Sequence, residues 1–207
     1  GHHLIINYFV LGDQVVVTPT FFGAEPVHAQ MGKYAGVRVF RDDEDRGLAL
    51  ARTLSEVQRA KTVIAPETSG EDFATAFRDN LVLNYTGIAY DELSSAQHDL
   101  LLVLVDYHVG RMPNSHAKFR MDEVKRHLKD THFCWMGGME DDSTFYYRVQ
   151  SPVIIVEFDH QRGIAFRETT KPYKDHIHVI VRTPNGNDYG KDLLRHHYLT
   201  GHHATRG

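Results

Sequence analysis

Apolar and polar positions alternate with a period of two at both ends of the chain, and recur at helical spacing between them. HLIINYFVLGDQVVVTPTFF carries two β-rich runs, about 4–10 and 14–21, on either side of Gly12-Asp13, which predicts a hairpin. FGAEP at 22–26 predicts a loop, and YAGVRVF at 34–40 a short strand or extended segment. RDDEDRGLALARTL predicts a helix: acidic residues crowd its first turn, where the helix dipole favours them, and Leu48, Ala51 and Leu54 follow at helical spacing. SEVQRAKTVI predicts a second helix, with Ser55 as N-cap and Gln58 at the capping-box position. Residues 65–92 carry the weakest pattern; APETSGED predicts a loop and FATAFRDN one or two helical turns. SSAQHDLLLVLVDYHVGRMP predicts a helix capped by Ser94 or Ser95 and stopped at Gly-x-x-Pro, and HAKFRMDEVKRHLKD an amphipathic one.

From His132 the period is two. HFCWMGG, STFYYRVQ, SPVIIVEFD and HIHVIVR predict four consecutive strands, and NDYGKDLLRHHYL a closing helix capped by Asn187 or Asp188. Strands at both ends with helices between them predict an α+β fold. Its largely antiparallel sheet joins the N-terminal hairpin to the C-terminal strands, with a central group of helices. There is no internal repeat and no low-complexity linker, so 1–207 reads as one domain, with 202–207 a disordered polar tail. The chain starts at Gly1 rather than Met, inside a strand-like pattern, and reads as the remainder of a longer protein.

Alternate residues of a strand share a face. In FYYRVQ, Tyr146, Arg148 and Gln150 point one way. In PVIIVEFD, Val153, Ile155, Glu157 and Asp159 share one face, and Ile154, Val156 and Phe158 the other. In HIHVIVR, His176, His178, Ile180 and Arg182 oppose Ile177, Val179 and Val181, and near the N-terminus His3, Ile5 and Asn7 oppose Leu4, Ile6 and Tyr8. A solvated strand face usually mixes Lys, Glu, Ser and Thr. These faces hold Arg, Gln, Glu, Asp, His and Asn with neither Lys nor Ser, which are the residue types that bind metals, clamp carboxylates or move protons. Strands paired in this register form a single polar cavity on a concave sheet face.

Composition narrows the partners. A net charge of -4, from 23 basic and 27 acidic residues, gives no footprint for nucleic acid and no basic patch for a membrane surface. The longest apolar run, LLLVLV at 100–105, is too short for a membrane span, which leaves a small-molecule ligand as the expected partner of a soluble protein, cytoplasmic or exported. The single cysteine, Cys134, excludes an internal disulfide and a cysteine-based metal cluster, and reads as a buried bystander between aromatics. Histidine is the anomaly: there are 15, in clusters.

H-x-H on a strand places both imidazoles on one face, with Cα atoms about 6–7 Å apart, close enough to share one ion. Two imidazoles with a neighbouring carboxylate make a three-ligand set with open positions. The expected metal set is therefore His3, His176, His178 and Glu157, for a divalent transition metal such as Zn, Fe, Mn or Cu. Glu157 and His178 are the expected catalytic pair, and Arg148, Gln150 and Arg182 the substrate-binding residues, in a hydrolytic or oxidative enzyme. A metal-free version uses His178 as general base, oriented by Glu157 or Asp159, with Arg148 or Arg182 holding an anionic substrate. Two further readings stand beside these. One is a non-catalytic domain binding an anionic small molecule; the other is a structural sheet salt-bridged through Glu157, Asp159, Arg148 and Arg182. Arg38, Glu44 and Arg59 read as surface or helix-cap charges, and no Gly-rich phosphate loop, G-x-S-x-G elbow or H-E-x-x-H motif occurs.

Several stretches in fixed order resemble the domain-of-unknown-function 3500 family. They are GHHLIINYF, TPTFFGAEP, AGVRVFRDDED, HFCWMGG, YYRVQSPVIIVEFD, DHIHVIVRTPNGNDYGKDLL and HHY. The family's G-H-H-L falls on Gly1 to Leu4, Y-Y-R-I-Q on Tyr146 to Gln150, E-[FY]-D on Glu157 to Asp159 and N-H-I-H on Asp175 to His178. R-D-P falls on Arg182 to Pro184 and D-[FY]-G on Asp188 to Gly190; Asp175, Val149 and Thr183 depart from the usual residues, as does the segment GIAFRETTKPYK. The resemblance implies a shared fold and lends no activity.

Overall fold

A computed structural model describes residues 3–75, 77–79, 81–165 and 169–201 of the chain. The expected tail at 202–207 lies outside the described residues. The fold is α+β, as the periodicity predicts. In chain order the elements are β1 (Leu4–Ile6), β2 (Phe9–Leu11), β3 (Gln14–Val16), β4 (Thr20–Ala24), α1 (Arg41–Arg52), α2 (Glu56–Thr62), β5 (Val63–Ala65) and β6 (Ile88–Ala89). There follow α3 (Ser95–Val109), α4 (Asn114–Arg126), β7 (His132–Gly137), β8 (Phe145–Gln150), β9 (Ile155–Arg162), β10 (Pro172–Arg182) and α5 (Lys191–Thr200).

Eight strands form one sheet in the order β1-β4-β10-β9-β8-β7-β5, with β6 also paired to β7. All its pairings are antiparallel except β5 on β7. β2 and β3 turn at Gly12-Asp13 as expected, but form a separate two-stranded sheet. Each long run of the expected hairpin is split in two. Pro19 has no N–H for a continuous ladder, and its carbonyl instead accepts from the side chain of Asn7 at 2.8 Å. β1 and β4 still pair with each other as the outer part of the hairpin, but within the main sheet, and β4 takes in residues of the expected loop at 22–26.

The expected capping box of Ser55 with Gln58 forms, and of the two candidate caps Ser94 is used, in a second capping box with Gln97. Four expectations change. The 34–40 segment forms only an isolated bridge, His28 to Arg38, after a 3-10 turn at Gly32–Tyr34. No helix occurs within 66–79 among the described residues. The N-cap of α5 is Gly190, in the left-handed region, because the carboxylate of Asp188 is engaged by Arg182 and by the Thr183 amide. Glu44, expected as a surface or helix-cap charge, lies in the first turn of α1 but is buried, and pairs with Arg38, His160 and Lys174.

One sheet face packs on the helices through Phe133, Trp135, Phe145, Tyr147, Val156, Phe158, Ile177 and Val179. Trp135 stacks on Phe145 at 4.5 Å and Tyr147 on Phe158 at 5.0 Å. Such pairs add about 0.5–1.5 kcal/mol each beyond the area they bury. The opposite face carries the polar set, as alternation predicts. It is not an open cavity: the irregular segment between β5 and β6 lies across it as a strap, held by Arg148, Gln150 and Arg182. Among the described residues no helix is long and apolar enough to cross a membrane.

Candidate metal centre

Strand order decides which histidines meet. His176 and His178 lie on β10, and His3 precedes β1, with β4 running between the two strands. Gly23 of β4 is the Cα partner of His178, and its amide donates to the His3 carbonyl at 2.8 Å. Because residue 23 has no side chain, the two imidazoles close over it. A Cβ there would sit 2.9 Å from His178 Cδ2 and 3.0 Å from His3 Cδ2, inside van der Waals contact.

The three Nε2 atoms converge. His176 Nε2 is 3.1 Å from His178 Nε2 and 3.2 Å from His3 Nε2, and His178 Nε2 is 3.3 Å from His3 Nε2. Nitrogens bound at 2.0–2.1 Å to a tetrahedral ion are separated by about 3.3–3.4 Å, and by about 3.0 Å on adjacent octahedral positions. The observed triangle falls between these values.

The protons point to the same arrangement. His176 Nδ1 lies 2.6 Å from the Arg162 carbonyl, which can only accept, so Nδ1 carries the hydrogen. His178 Nδ1 lies 2.9 Å from the Asp72 carboxylate and donates to it. A ring with hydrogen on Nδ1 offers Nε2 as its ligating atom, and the two Nε2 atoms face each other at 3.1 Å, close enough to share one cation. Burial pushes the pKa of His176 below its usual value, against the hydrogen bond to Arg162, and so favours the neutral, ligating form. Among the described residues, His3, His176 and His178 form a group whose ligand atoms lie close enough together that they could hold a metal ion.

A family model described as Protein of unknown function (DUF3500) matches residues 1–191. The chain belongs to that family. The match includes all three histidines, and comparisons of this DUF3500 chain with curated proteins and with solved structures found no match.

The remaining expected site residues of this DUF3500 member serve the strap. Glu157 is not in the converging group. Its carboxylate accepts from the Ala74 amide at 2.8 Å and from the Tyr146 hydroxyl at 2.7 Å. Arg148 donates to the Asn84 carbonyl and Thr86 hydroxyl, and Gln150 to the Leu83 carbonyl. Arg182 donates to Asp188 and to the carbonyls of Ala74, Thr75 and Arg78. The carboxylate that touches a histidine of the group most closely is Asp72 of the strap, which also accepts from Gln161. Glu25 is the other, 3.6 Å from His176 Nδ1 and bonded to the Tyr173 hydroxyl at 2.6 Å. Neither stands in a periodic segment, so alternation gives no signal for them.

Burial pushes the Glu157 carboxyl up to about 7, against the bonds from Ala74 and Tyr146, and the nearby Asp72 charge adds to the rise. A carboxyl whose pKa is raised by folding stabilises the fold while protonated. That contribution is complete below about 4.5 and is lost as pH rises through about 7. Glu157→Gln keeps both contacts, its amide oxygen accepting from Ala74 and its amide nitrogen donating to Tyr146. The variant is expected to lack a stability loss of a few kcal/mol that the parent shows between pH 5 and 8, as read by denaturant titration. Equal slopes for the two proteins would count against the raised pKa.

Proposed function

We propose that this DUF3500 domain is a metal-dependent enzyme acting on a small molecule, with one divalent transition ion held by His3, His176 and His178. The observation that carries this reading is the Nε2 triangle of 3.1, 3.2 and 3.3 Å, with the rings at two of its corners oriented by the bonds at their Nδ1 atoms. An all-imidazole set suits Zn, Cu or Fe better than Mn. When bound, an ion with three neutral ligands keeps its full charge and supplies Lewis acidity toward a carbonyl or phosphoryl oxygen, which favours hydrolysis over oxidation.

The chain's own residues orient and insulate. Asp72 fixes the ring and tautomer of His178, as the Arg162 carbonyl fixes those of His176. His176 is buried, whereas His3 and His178 are only partly covered, so the substrate approaches on their side. An anionic clamp made by Arg148 and Arg182 is disfavoured, because both guanidiniums are bonded to the strap. The test is turnover of a panel of activated carboxylic and phosphoric esters by zinc-loaded and metal-stripped protein. Metal-dependent hydrolysis that disappears in His178→Ala is expected; equal rates with and without metal on every ester contradict the hydrolytic reading.

A further inference from the structure

We infer that a single water molecule is bound inside the interface of α1, α3 and β8, held by Asp43, Arg46, His108 and Arg111. This site lies on the helix side of the sheet, and nothing in it depends on the metal centre. Gly47 brings the elements together: a Cβ there would lie 2.5 Å from Tyr147 Cε1, so only glycine lets that ring pack against α1. The Tyr147 hydroxyl then donates its one proton to the Asp43 carbonyl at 3.1 Å. His108 Nε2, 3.0 Å from the same hydroxyl, must therefore be the donor in their contact. Burial drives the pKa of His108 well below its usual value, so the ring is neutral and its Nδ1 is a bare acceptor.

Four buried side-chain atoms here have no hydrogen-bond partner within the protein: Asp43 Oδ2, Arg46 Nε, His108 Nδ1 and Arg111 Nη1. They belong to one cluster. Arg111 Nη2 is paired with Asp43, and the guanidiniums of Arg46 and Arg111 lie over the Tyr107 ring, 4.8 and 5.2 Å from its centroid. His108 Nδ1 stands 3.7 Å from Asp43 Oδ1, too far for a hydrogen bond and unfavourable for two acceptors unless a donor bridges them. The unpartnered atoms are two N–H donors and two acceptors, with the Tyr107 hydroxyl beside Asp43 and Arg111. Water matches them, giving its protons to Asp43 and His108 and accepting from Arg46 and Arg111. An anion fails against Asp43, and an ammonium ion against the two guanidiniums.

A crystal structure of the whole chain, at a resolution that reveals ordered solvent, decides the matter. The expected result is one isolated peak, refining as oxygen, within hydrogen-bond distance of at least three of the four atoms. A direct Asp43–His108 hydrogen bond, an absent peak, or a peak that needs the scattering of chloride overturns the inference. Nuclear magnetic relaxation dispersion of the solvent gives a second measure. One long-lived water signal that is lost in His108→Phe is expected, and an unchanged dispersion in that folded variant contradicts it.

Discussion

Zinc at a thousandfold excess over its dissociation constant is expected to stabilise the protein by about 4 kcal/mol, because the unfolded chain does not hold the three imidazoles together. For a chain of 207 residues, that corresponds to a rise of roughly 10 °C in the unfolding temperature. His178→Ala removes one corner of the Nε2 triangle together with the bond to Asp72 and the contact with Phe21, so the metal-free variant should lose on the order of 1 kcal/mol. It should lose the zinc-induced shift almost entirely. Gly23→Ala should do the same by a different route: the ligands remain, but the added methyl group keeps the rings of His3 and His178 from closing. Differential scanning calorimetry with and without zinc checks both variants. A full shift in His178→Ala would place the stabilising ion elsewhere.

Arg182→Leu is expected to cost about 3–5 kcal/mol, the range for breaking a buried ion pair by removing one partner. Arg182 is 1% exposed. Its guanidinium bonds Asp188 at 2.8 Å, the carbonyls of Ala74 and Thr75 at 2.6 Å each, and that of Arg78 at 2.5 Å. Leucine would leave the Asp188 carboxylate with only the Thr183 amide as donor, and would take from the strap carbonyls the donors that Arg182 supplies. The urea midpoint should fall by about 1–2 M. Lysine should recover only part of the loss, since one ammonium group cannot span the fork of contacts that a guanidinium makes. A loss below about 1 kcal/mol would contradict the strap role and return Arg182 to the substrate-binding role that its strand position suggested.

Local physics made much of this legible in the sequence. Capping boxes at Ser55 and Ser94 mark helix starts because the side chain and backbone involved are three residues apart. Alternation correctly separates Ile177, Val179 and Val181 from His176, His178 and Arg182, because strand pleating is local. The partners of that polar face were not legible. Arg148, Gln150 and Arg182 resemble ligand-binding groups until the strap is placed on them, and the strap has no period to read. Asp72 belongs to that strap, so a carboxylate sought on a neighbouring strand pointed to Glu157 instead. His3 was expected beside H-x-H from the polar face of the N-terminal strand and its place in the same sheet; the insertion of β4, and the need for glycine at position 23, follow from strand order.

X-ray absorption at the zinc edge of the loaded, full-length chain tests the three-histidine centre most directly. The expected spectrum has one ion per chain, with three imidazole nitrogens at about 2.0–2.1 Å and a fourth position taken by an oxygen ligand. Sub-stoichiometric metal, or a coordination shell dominated by oxygen without imidazole scattering, would contradict it.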